Sequence, residues 1–383
     1  MKISWGQTFV ILLSARLFAL MTCTPVTSDK NPLTVYMIGA LISTAIQAAL
    51  VIPFLFLKNK FPDKSVTEIA SLKGRFFSFI ISIIYFVFFF SSAIISVTRF
   101  EKFVGGAFFE KSSMLIGTFI LIASAVYGSY SGIQGIARTS GIIFALFCFY
   151  IILQPLSDLN SVNFLNLTFR ADLYSGSILT AVMDDFSQSS QIILLAVLLP
   201  YLKNLNKGIA GYLIGKLVAV EIILFFAVTI LGGYVSLVDY PFFSLAGFAV
   251  NSNFERLDAI YIFVWVLISF VNTSLLIFAL SNIINSFFCE SKSCQQHRKK
   301  KNIRGFLCKF RNSIAGLIIL LGSVPVFMKF AVYEDILKAI TGIIPMIVLI
   351  LIIPGILLLI RGENNENKNN SCPANDNGSP QRL

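Results

Sequence analysis

Long apolar runs separated by short polar segments occupy most of the chain, and ten of these runs are long enough to cross a membrane. A helix needs about 20 apolar residues to cross roughly 30 Å of hydrocarbon. The runs are continuous and lack the alternation of barrel strands, so they predict an all-α integral membrane protein. The predicted spans are 5–23, 33–57, 76–98, 113–136, 139–155, 178–202, 208–232, 257–288, 313–331 and 339–360.

The composition agrees with a membrane protein and excludes an ordinary soluble one. Hydrophobic residues make up 56% of the chain and charged residues 13%, whereas soluble domains carry about 25% charged residues. The 38 phenylalanines include the cluster at 86–90, which is expected to face lipid. No small-residue cleavage site follows the first apolar run, so 5–23 is predicted to be a retained span and not a removed signal peptide.

The basic residues predict how the spans are oriented. Most of the 30 lysines and arginines fall in loops that share one side of the membrane, including the run at 299–301. Basic loops stay in the cytoplasm, so both termini are predicted to be cytoplasmic. Residues 1–360 form the predicted ten-span domain and the polar segment 361–383 a disordered cytoplasmic tail. This arrangement accounts for the net charge of +11 without a nucleic-acid partner.

Metal and cofactor chemistry is not indicated. Cys289, Cys294, Cys308 and the single histidine, His297, lie in one basic loop, but their spacing matches no common zinc pattern. The chain has no nucleophile motif beside a base, so it is not predicted to be an enzyme. We therefore expect no metal site and no cofactor.

Polar residues interrupt spans 1 and 6. Span 1 carries Ser14 and Arg16, and span 6 carries Asp184 and Asp185 followed by the polar run 187–191. Ionisable residues inside a membrane are costly and mark functional sites. With five spans in each half, these two spans occupy equivalent positions, which predicts a five-plus-five inverted repeat of the LeuT-like type. In that architecture the first helix of each half, here helices 1 and 6, is broken at the substrate site near the midplane.

The charged residues leave alternatives open. Arg16 has Asp184 or Asp185 as its predicted partner in an ion pair that joins spans 1 and 6, or it offers its donors to a ligand carboxylate. In span 7, Lys216 is expected to pair with a neighbouring helix or to extend towards the cytoplasm. Glu221, deeper in the same span, is the better candidate to carry a proton.

The predicted ligand site combines polar residues of four spans. Spans 3 and 8 are equivalent in the repeat and flank the broken helices, so their hydroxyl and amide groups are expected to meet those of spans 1 and 6. The candidate ligand-binding residues are Ser14, Arg16, Ser91, Ser92, Ser187, Gln188, Ser190, Gln191, Asn272 and Thr273.

Several short motifs resemble one protein family. They are residues 3–7 (ISWGQ) with 12–18 (LLSARLF), 132–138 (GIQGIAR), 198–203 (LLPYLK) and 353–358 (IPGILL). With the span count, they make the chain similar to the B subunits of spore germinant receptors. These belong to the spore germination permease family of the amino-acid/polyamine/organocation transporter superfamily. The chain departs from the family pattern at Lys30, where an aromatic residue usually follows the aspartate, and at Gln134, where an acidic residue is usual.

The resemblance implies a nutrient sensor in the inner membrane of a bacterial spore. Such a subunit works with a membrane-anchored A subunit and a lipoprotein C subunit, and it binds an amino acid or a similar germinant. A proton-coupled amino-acid transporter of the same superfamily is the alternative. The ligand would lie at the midplane between helices 1 and 6 in either case.

Overall fold

The computed structural model describes residues 2–22, 33–107, 111–158, 161–167, 175–238, 240–247, 257–289 and 310–360. Within these residues the chain is helical and contains no strand, apart from an isolated bridge between Ile3 and Leu202. Eight helical segments are long and apolar enough to cross a membrane. Two shorter apolar helices, Leu115–Tyr130 and Arg311–Val326, overlap the predicted spans 4 and 9. The prediction of an all-α membrane protein is confirmed.

The spans keep the numbering of the sequence prediction. Span 1 is Trp5–Thr22, and span 2 comprises Leu33–Leu50 and Ile52–Lys60. Spans 3, 4 and 5 are Arg75–Ala107, Lys111–Tyr130 and Gly132–Asp158. Span 6 comprises Ser175–Ser187, Ser190–Leu194 and Leu195–Leu198, and span 7 Leu205–Phe226 and Ala227–Leu231. Spans 8 and 9 are Leu257–Cys289 and Arg311–Met328, and span 10 comprises Ile343–Ile347, Val348–Ile352 and Ile353–Leu358.

Three short helices connect spans at the ends of the bundle: Val66–Ser71 after span 2, Pro241–Gly247 after span 7 and Phe330–Thr341 after span 9. The tail at 361–383, together with Cys294, His297 and Cys308 of the basic loop, lies outside the described residues. The predictions for these segments stay predictions.

Spans 1 and 8 form the centre of the bundle, and an aromatic cluster joins them to span 3. Trp265 of span 8 is fully buried. Its ring stacks on Phe100 at a centroid distance of 5.1 Å and contacts Phe103 at 4.2 Å. It also stacks on Phe18 of span 1 at 6.5 Å. Because aromatic rings bury large apolar areas with defined geometry, this cluster fixes the three spans against one another.

The outer faces of the bundle expose large apolar side chains such as Phe76, Ile116 and Ile142, as a lipid-facing surface requires. The prediction that the cluster at 86–90 faces lipid is wrong for Phe88 and Phe89, which are 2% and 1% exposed. Successive residues of a helix point about 100° apart, so five consecutive positions cannot share one face.

Span 6 is broken where its polar run begins, as the sequence predicts. The α-helix ends at Ser187, and the chain resumes as a 3-10 helix from Ser190 to Leu194. The hydroxyls of Ser187 and Ser189 donate to the carbonyls of Asp184 and Asp185 at 2.9 and 2.8 Å. Serine side chains that bond locally to the backbone weaken regular helix, and here they satisfy the backbone groups around the break.

Span 1 is not broken over its described length. Trp5–Thr22 is one continuous α-helix, so the predicted interruption is absent between these residues, and 23–32 lie outside the described part of the chain. The sequence from 7 to 22 contains neither glycine nor proline. A polar side chain does not by itself open a helix when other spans satisfy it, and Arg16 finds its partner on span 6.

The start of span 1 is hydrogen-bonded to the end of span 6. Ser4 and Gln7 form a capping box, since the backbone N–H of each donates to a side-chain oxygen of the other. Ile3 donates to the carbonyl of Tyr201 at 2.7 Å, and Lys203 donates to that of Ile3 at 3.1 Å. The first residues before span 1 and the last residues of span 6 are therefore paired through their backbones.

The N-terminal half of span 6 packs closely on span 2. A Cβ atom added at Gly39 would lie 2.6 Å from the Cβ of Ala181 and 2.9 Å from its carbonyl carbon. Glycine therefore permits an approach that a larger residue would prevent. This contact positions Ser175–Ser187, which carries the acidic pair at 184–185.

Candidate functional site

A buried charge cluster lies where spans 1, 2, 6 and 7 meet, and it is formed by Arg16, Gln47, Asp185 and Lys216. Arg16 donates to Oδ1 of Asp185 at 2.8 Å, and Lys216 donates to Oδ2 at 2.6 Å. Gln47 bridges them, because its Nε2 lies 3.5 Å from Oδ2 and its Oε1 accepts from Lys216 at 3.1 Å. All four residues are at most 1% exposed. One carboxylate thus joins four spans.

The cluster contains two cations and one carboxylate. Removing ions from water is costly, and only close pairing with further hydrogen bonds offsets the cost. Both carboxylate oxygens of Asp185 are used, and Ser43 accepts a further bond from Gln47 at 2.9 Å. The alternative that Lys216 extends towards the cytoplasm is wrong, because its side chain is fully buried against Asp185.

The other two acidic residues of the predicted set lie outside the charge cluster. Asp184 is half-buried, and the basic residue that acts on it electrostatically is Lys338. Adjacent residues of a helix point in different directions, so Asp184 and Asp185 cannot share one partner. Glu221 is also half-buried, and its Oε1 atom has no hydrogen-bond partner among the described residues.

A small polar cavity, about 60 Å³ in volume, adjoins the break of span 6 and is enclosed mainly by spans 1, 3, 6 and 8. Six of the ten predicted ligand-binding residues line this cavity: Ser92, Ser187, Gln188, Ser190, Gln191 and Asn272. The structure brings these six together as the repeat argument expects. Their role in ligand binding stays a prediction.

The remaining four candidates do not line the cavity. Arg16 belongs to the charge cluster, and Thr273 donates its hydroxyl to the carbonyl of Ser269 within its own helix. Ser14 and Ser91 are buried, at 0% and 3% exposure. Adjacent positions on a helix face different neighbours. Span position alone does not tell which helix face points to the cavity, so it could not separate Ser91 from Ser92.

Two glutamines connect the cavity to span 1. Gln188 lines the cavity, and its Oε1 accepts from the guanidinium of Arg16 at 3.3 Å. Gln191 also lines the cavity, and its Nε2 donates to the carbonyl of Ala15 at 3.1 Å. Any group that enters the cavity and binds these amides therefore acts on span 1 and on the charge cluster.

Span 3 contributes cavity residues that the sequence prediction missed. Besides Ser92, the lining includes Phe88, Ser96 and Arg99. These positions recur at intervals of three and four, so they share one helix face. Ser96 accepts from the amide of Asn272 at 3.1 Å. The sequence prediction ended span 3 at 98, just before Arg99, whereas the helix continues to Ala107.

A larger cleft, about 630 Å³ in volume, shares no lining residue with the cavity. It lies between the helix Val66–Ser71 and the ends of spans 6 and 8, where Glu68, Tyr201 and Asn282 line it. None of its lining residues belongs to the break of span 6 or to the charge cluster. We therefore take the smaller cavity as the candidate ligand site.

Comparison with known proteins supports the architecture. The chain is similar to a solved Na⁺-coupled sialic acid symporter in a substrate-bound outward-open state, with 13% identity and a TM-score of 0.59. The match covers 91% of this chain and 78% of the symporter. At this identity the likeness concerns the fold alone, and it confirms the predicted LeuT-like class.

Sequence comparison identifies the family. No curated protein sequence matches the chain. The family model described as spore germination protein, of the spore permease type, matches residues 2–297. A match over this length confirms the resemblance found in the short motifs. The chain belongs to the spore permease family of spore germination proteins.

Proposed function

We propose that this protein is the nutrient-sensing subunit of a bacterial spore germination receptor and that it binds an amino-acid-like germinant in the cavity. One observation carries the proposal. The cavity lies at the break of span 6, and its residue Gln188 is hydrogen-bonded to Arg16 of the charge cluster. A ligand in this position contacts the groups that hold spans 1 and 6 together.

Binding is coupled to movement in this proposal. The cavity has a volume of about 60 Å³, whereas ligand pockets commonly occupy about 300–1,000 Å³. A germinant therefore enters only when the surrounding spans separate, and it stabilises the wider arrangement. A ligand that binds one arrangement more tightly than the other shifts the population towards it. That shift in the packing of spans 1 and 6 is the signal.

The partners follow from the family. We assign the A and C subunits of the germinant receptor as the recipients of the signal, and the inner membrane of the spore as the location. Both termini face the cytoplasm in this assignment, which agrees with Lys58 and Lys60 at the end of span 2. The proposed function requires no cofactor, no metal, no nucleic acid and no enzymatic step.

Proton-coupled amino-acid transport is the second candidate. One observation favours it: Glu221 lies within span 7, and its Oε1 is buried and lacks a partner among the described residues. Acidic groups inside a membrane protein often relay protons. The transporter would use the same cavity and would complete alternating access.

The test combines germination with transport. Deleting the gene should abolish germination in response to at least one nutrient, and the wild-type gene should restore it. Gln188→Ala removes the hydrogen bond from Arg16 to the cavity. A hydrogen bond to a charged group contributes about 1.5–3 kcal/mol, so the nutrient concentration for half-maximal germination should rise about tenfold. Gln134→Ala, which changes a glutamine outside the cavity, is the matched control and should behave as wild type.

The contrary results are distinct. Normal germination of the deletion strain with every nutrient tried would refute the receptor. Saturable uptake of a radiolabelled amino acid into proteoliposomes that contain only this protein would establish the transporter. An unchanged nutrient response in Gln188→Ala would show that the ligand does not bind in the cavity.

A further inference from the structure

Arg99 is the one charged residue among the described residues that line the cavity. It is half-buried on span 3, on the helix face that also carries Ser92 and Ser96. None of the described acidic residues forms an ion pair with it. A guanidinium at a cavity wall with no carboxylate partner is available to a ligand.

Arg16 is not available in the same way. Its guanidinium is bonded to Asp185 at 2.8 Å and to Gln188 at 3.3 Å, and it does not line the cavity. A ligand carboxylate that bound Arg16 would have to displace Asp185, which also holds Lys216. Because buried charges without partners are costly, that exchange is unfavourable. Of the two arginines, Arg99 is the one placed to receive a carboxylate.

The other polar groups of the cavity suit an ammonium or amine. None of the described residues that line it carries a carboxylate. Two oxygen atoms of the lining, Oγ of Ser92 and Oε1 of Gln191, are buried and lack hydrogen-bond partners among the described residues. A neutral oxygen can accept from one ammonium, but it cannot compensate a second positive charge beside Arg99.

The apolar part of the lining comes from several spans. Phe18, Phe88, Leu194 and Leu276 contribute to it. These side chains can contact an apolar ligand group, whereas a second ligand charge would have no partner there. The lining thus combines one cation, two free acceptor atoms and an apolar wall.

We propose that Arg99 binds the carboxylate of the germinant, and that the cavity is selective for zwitterionic amino acids with uncharged side chains. This proposal rests on the proposed function, because it specifies the ligand of the same cavity. The planar guanidinium holds both oxygens of the carboxylate in a bidentate pair. The ligand ammonium binds Ser92 and Gln191. Cationic ligands such as polyamines and amino-acid amides are excluded by Arg99.

The experiment measures binding to the purified full chain in proteoliposomes. The twenty standard L-amino acids are tested first, and each one that binds is compared with its carboxamide, which keeps the side chain and the amine. The carboxamide should bind about 10- to 100-fold more weakly, because a charge-assisted bond is lost and two cations are brought together. Arg99→Gln should lose the same factor for the amino acid and gain affinity for the carboxamide.

Matched variants separate charge from packing. Arg99→Lys keeps the positive charge but loses the paired N–H donors of the planar guanidinium. It should therefore bind the amino acid better than Arg99→Gln but more weakly than the wild type. Arg75→Gln, at the exposed far end of the same helix, should bind as wild type. If Arg99→Gln does not fold, the comparison of acid and carboxamide on the wild-type protein still decides the proposal.

The two proposals fail differently. If no amino acid binds the wild-type chain, the proposed function fails. If amino acids bind but their carboxamides bind equally well, or if Arg99→Gln binds both as the wild type does, the cavity is a ligand site without the assigned carboxylate contact. Either of these two results overturns the role of Arg99.

Discussion

The charge cluster and the cavity lie next to each other on span 6, yet they differ in how their polar groups are used. In the charge cluster, both oxygens of Asp185 and the amide of Gln47 are bonded. In the cavity, Ser92 and Gln191 each retain an oxygen without a partner among the described residues. Arg99, at the cavity wall, forms no ion pair with any of the described acidic residues.

The difference separates two uses of buried polarity. A polar group whose bonds are satisfied within the protein holds helices together and resists replacement. A polar group left unsatisfied beside a cavity costs free energy in the empty protein and recovers it when a ligand binds. Asp185 and Gln188 are only three residues apart on span 6, and the second bonds to the arginine that the first neutralises. The structural site and the proposed ligand site are therefore connected.

The largest expected effect is at Asp185. Asp185→Asn leaves Arg16 and Lys216 buried without a counter-charge, so the free energy of unfolding should fall by about 3–5 kcal/mol. Thermal unfolding in detergent and the yield of monodisperse protein measure this loss. Asp63→Asn is the control, because it breaks an exposed pair with Lys2 that water and salt screen, so its stability should stay close to wild type. Equal stability of the two variants would show that the cluster does not hold the spans.

A close helix contact comes next. Gly39→Ala introduces a Cβ atom 2.6 Å from that of Ala181, and overpacking of this kind costs about 1–3 kcal/mol. The N-terminal half of span 6 must shift, so both the unfolding temperature and the nutrient response should change. Gly141→Ala is the control, because nothing lies within 4 Å of the added atom. A change in stability without a change in the nutrient response would show that the charge cluster and the cavity are not coupled through span 6.

A smaller effect is expected at Lys216. Lys216→Met leaves Arg16 and Asp185 as a neutral pair and fills a similar volume, so the loss should be only about 1 kcal/mol. The main cost is the unpaired oxygen of Gln47, which accepts from Lys216 at 3.1 Å in the wild type. Unfolding curves for this variant and Asp185→Asn, measured side by side, make the test. Equal destabilisation of the two variants would contradict the view that the second buried positive charge lowers the stability of the folded protein.

The smallest effect contrasts two serines. Ser43 accepts a bond from Gln47 in the charge cluster, so Ser43→Ala should lower stability by about 1 kcal/mol. Ser92 has a hydroxyl without a partner among the described residues, so Ser92→Ala should change stability by less than about 0.5 kcal/mol. The nutrient response should show the reverse order, with a clear loss only in Ser92→Ala. Thermal unfolding and germination assays on the same pair of strains decide it.

The apolar pattern was sufficient to predict the spans, because helices that cross lipid must satisfy their own backbone. The polar run at 187–191 likewise marked the break of span 6. The same argument was wrong for the described part of span 1, because whether Arg16 disturbs its helix depends on a partner 169 residues away in sequence.

The cavity could be predicted only in part for a similar reason. Span position indicated which helices meet, but not which face of each helix points inwards, so Ser92 was included together with Ser91. Arg99 was missed because hydropathy ends span 3 where charges begin, whereas the helix Arg75–Ala107 continues past them. Lys216 could be recognised as costly within a span, but its partner depends on how spans 6 and 7 pack.

The aromatic cluster gives the protein a native optical probe. The chain has two tryptophans. Trp265 is fully buried and stacks on Phe18, which lines the cavity, whereas Trp5 is 49% exposed at the start of span 1. Replacing Trp5 by phenylalanine would leave a single indole in a dry environment beside the candidate site. Its emission intensity and wavelength would then follow the arrival of a germinant in real time, without an attached dye.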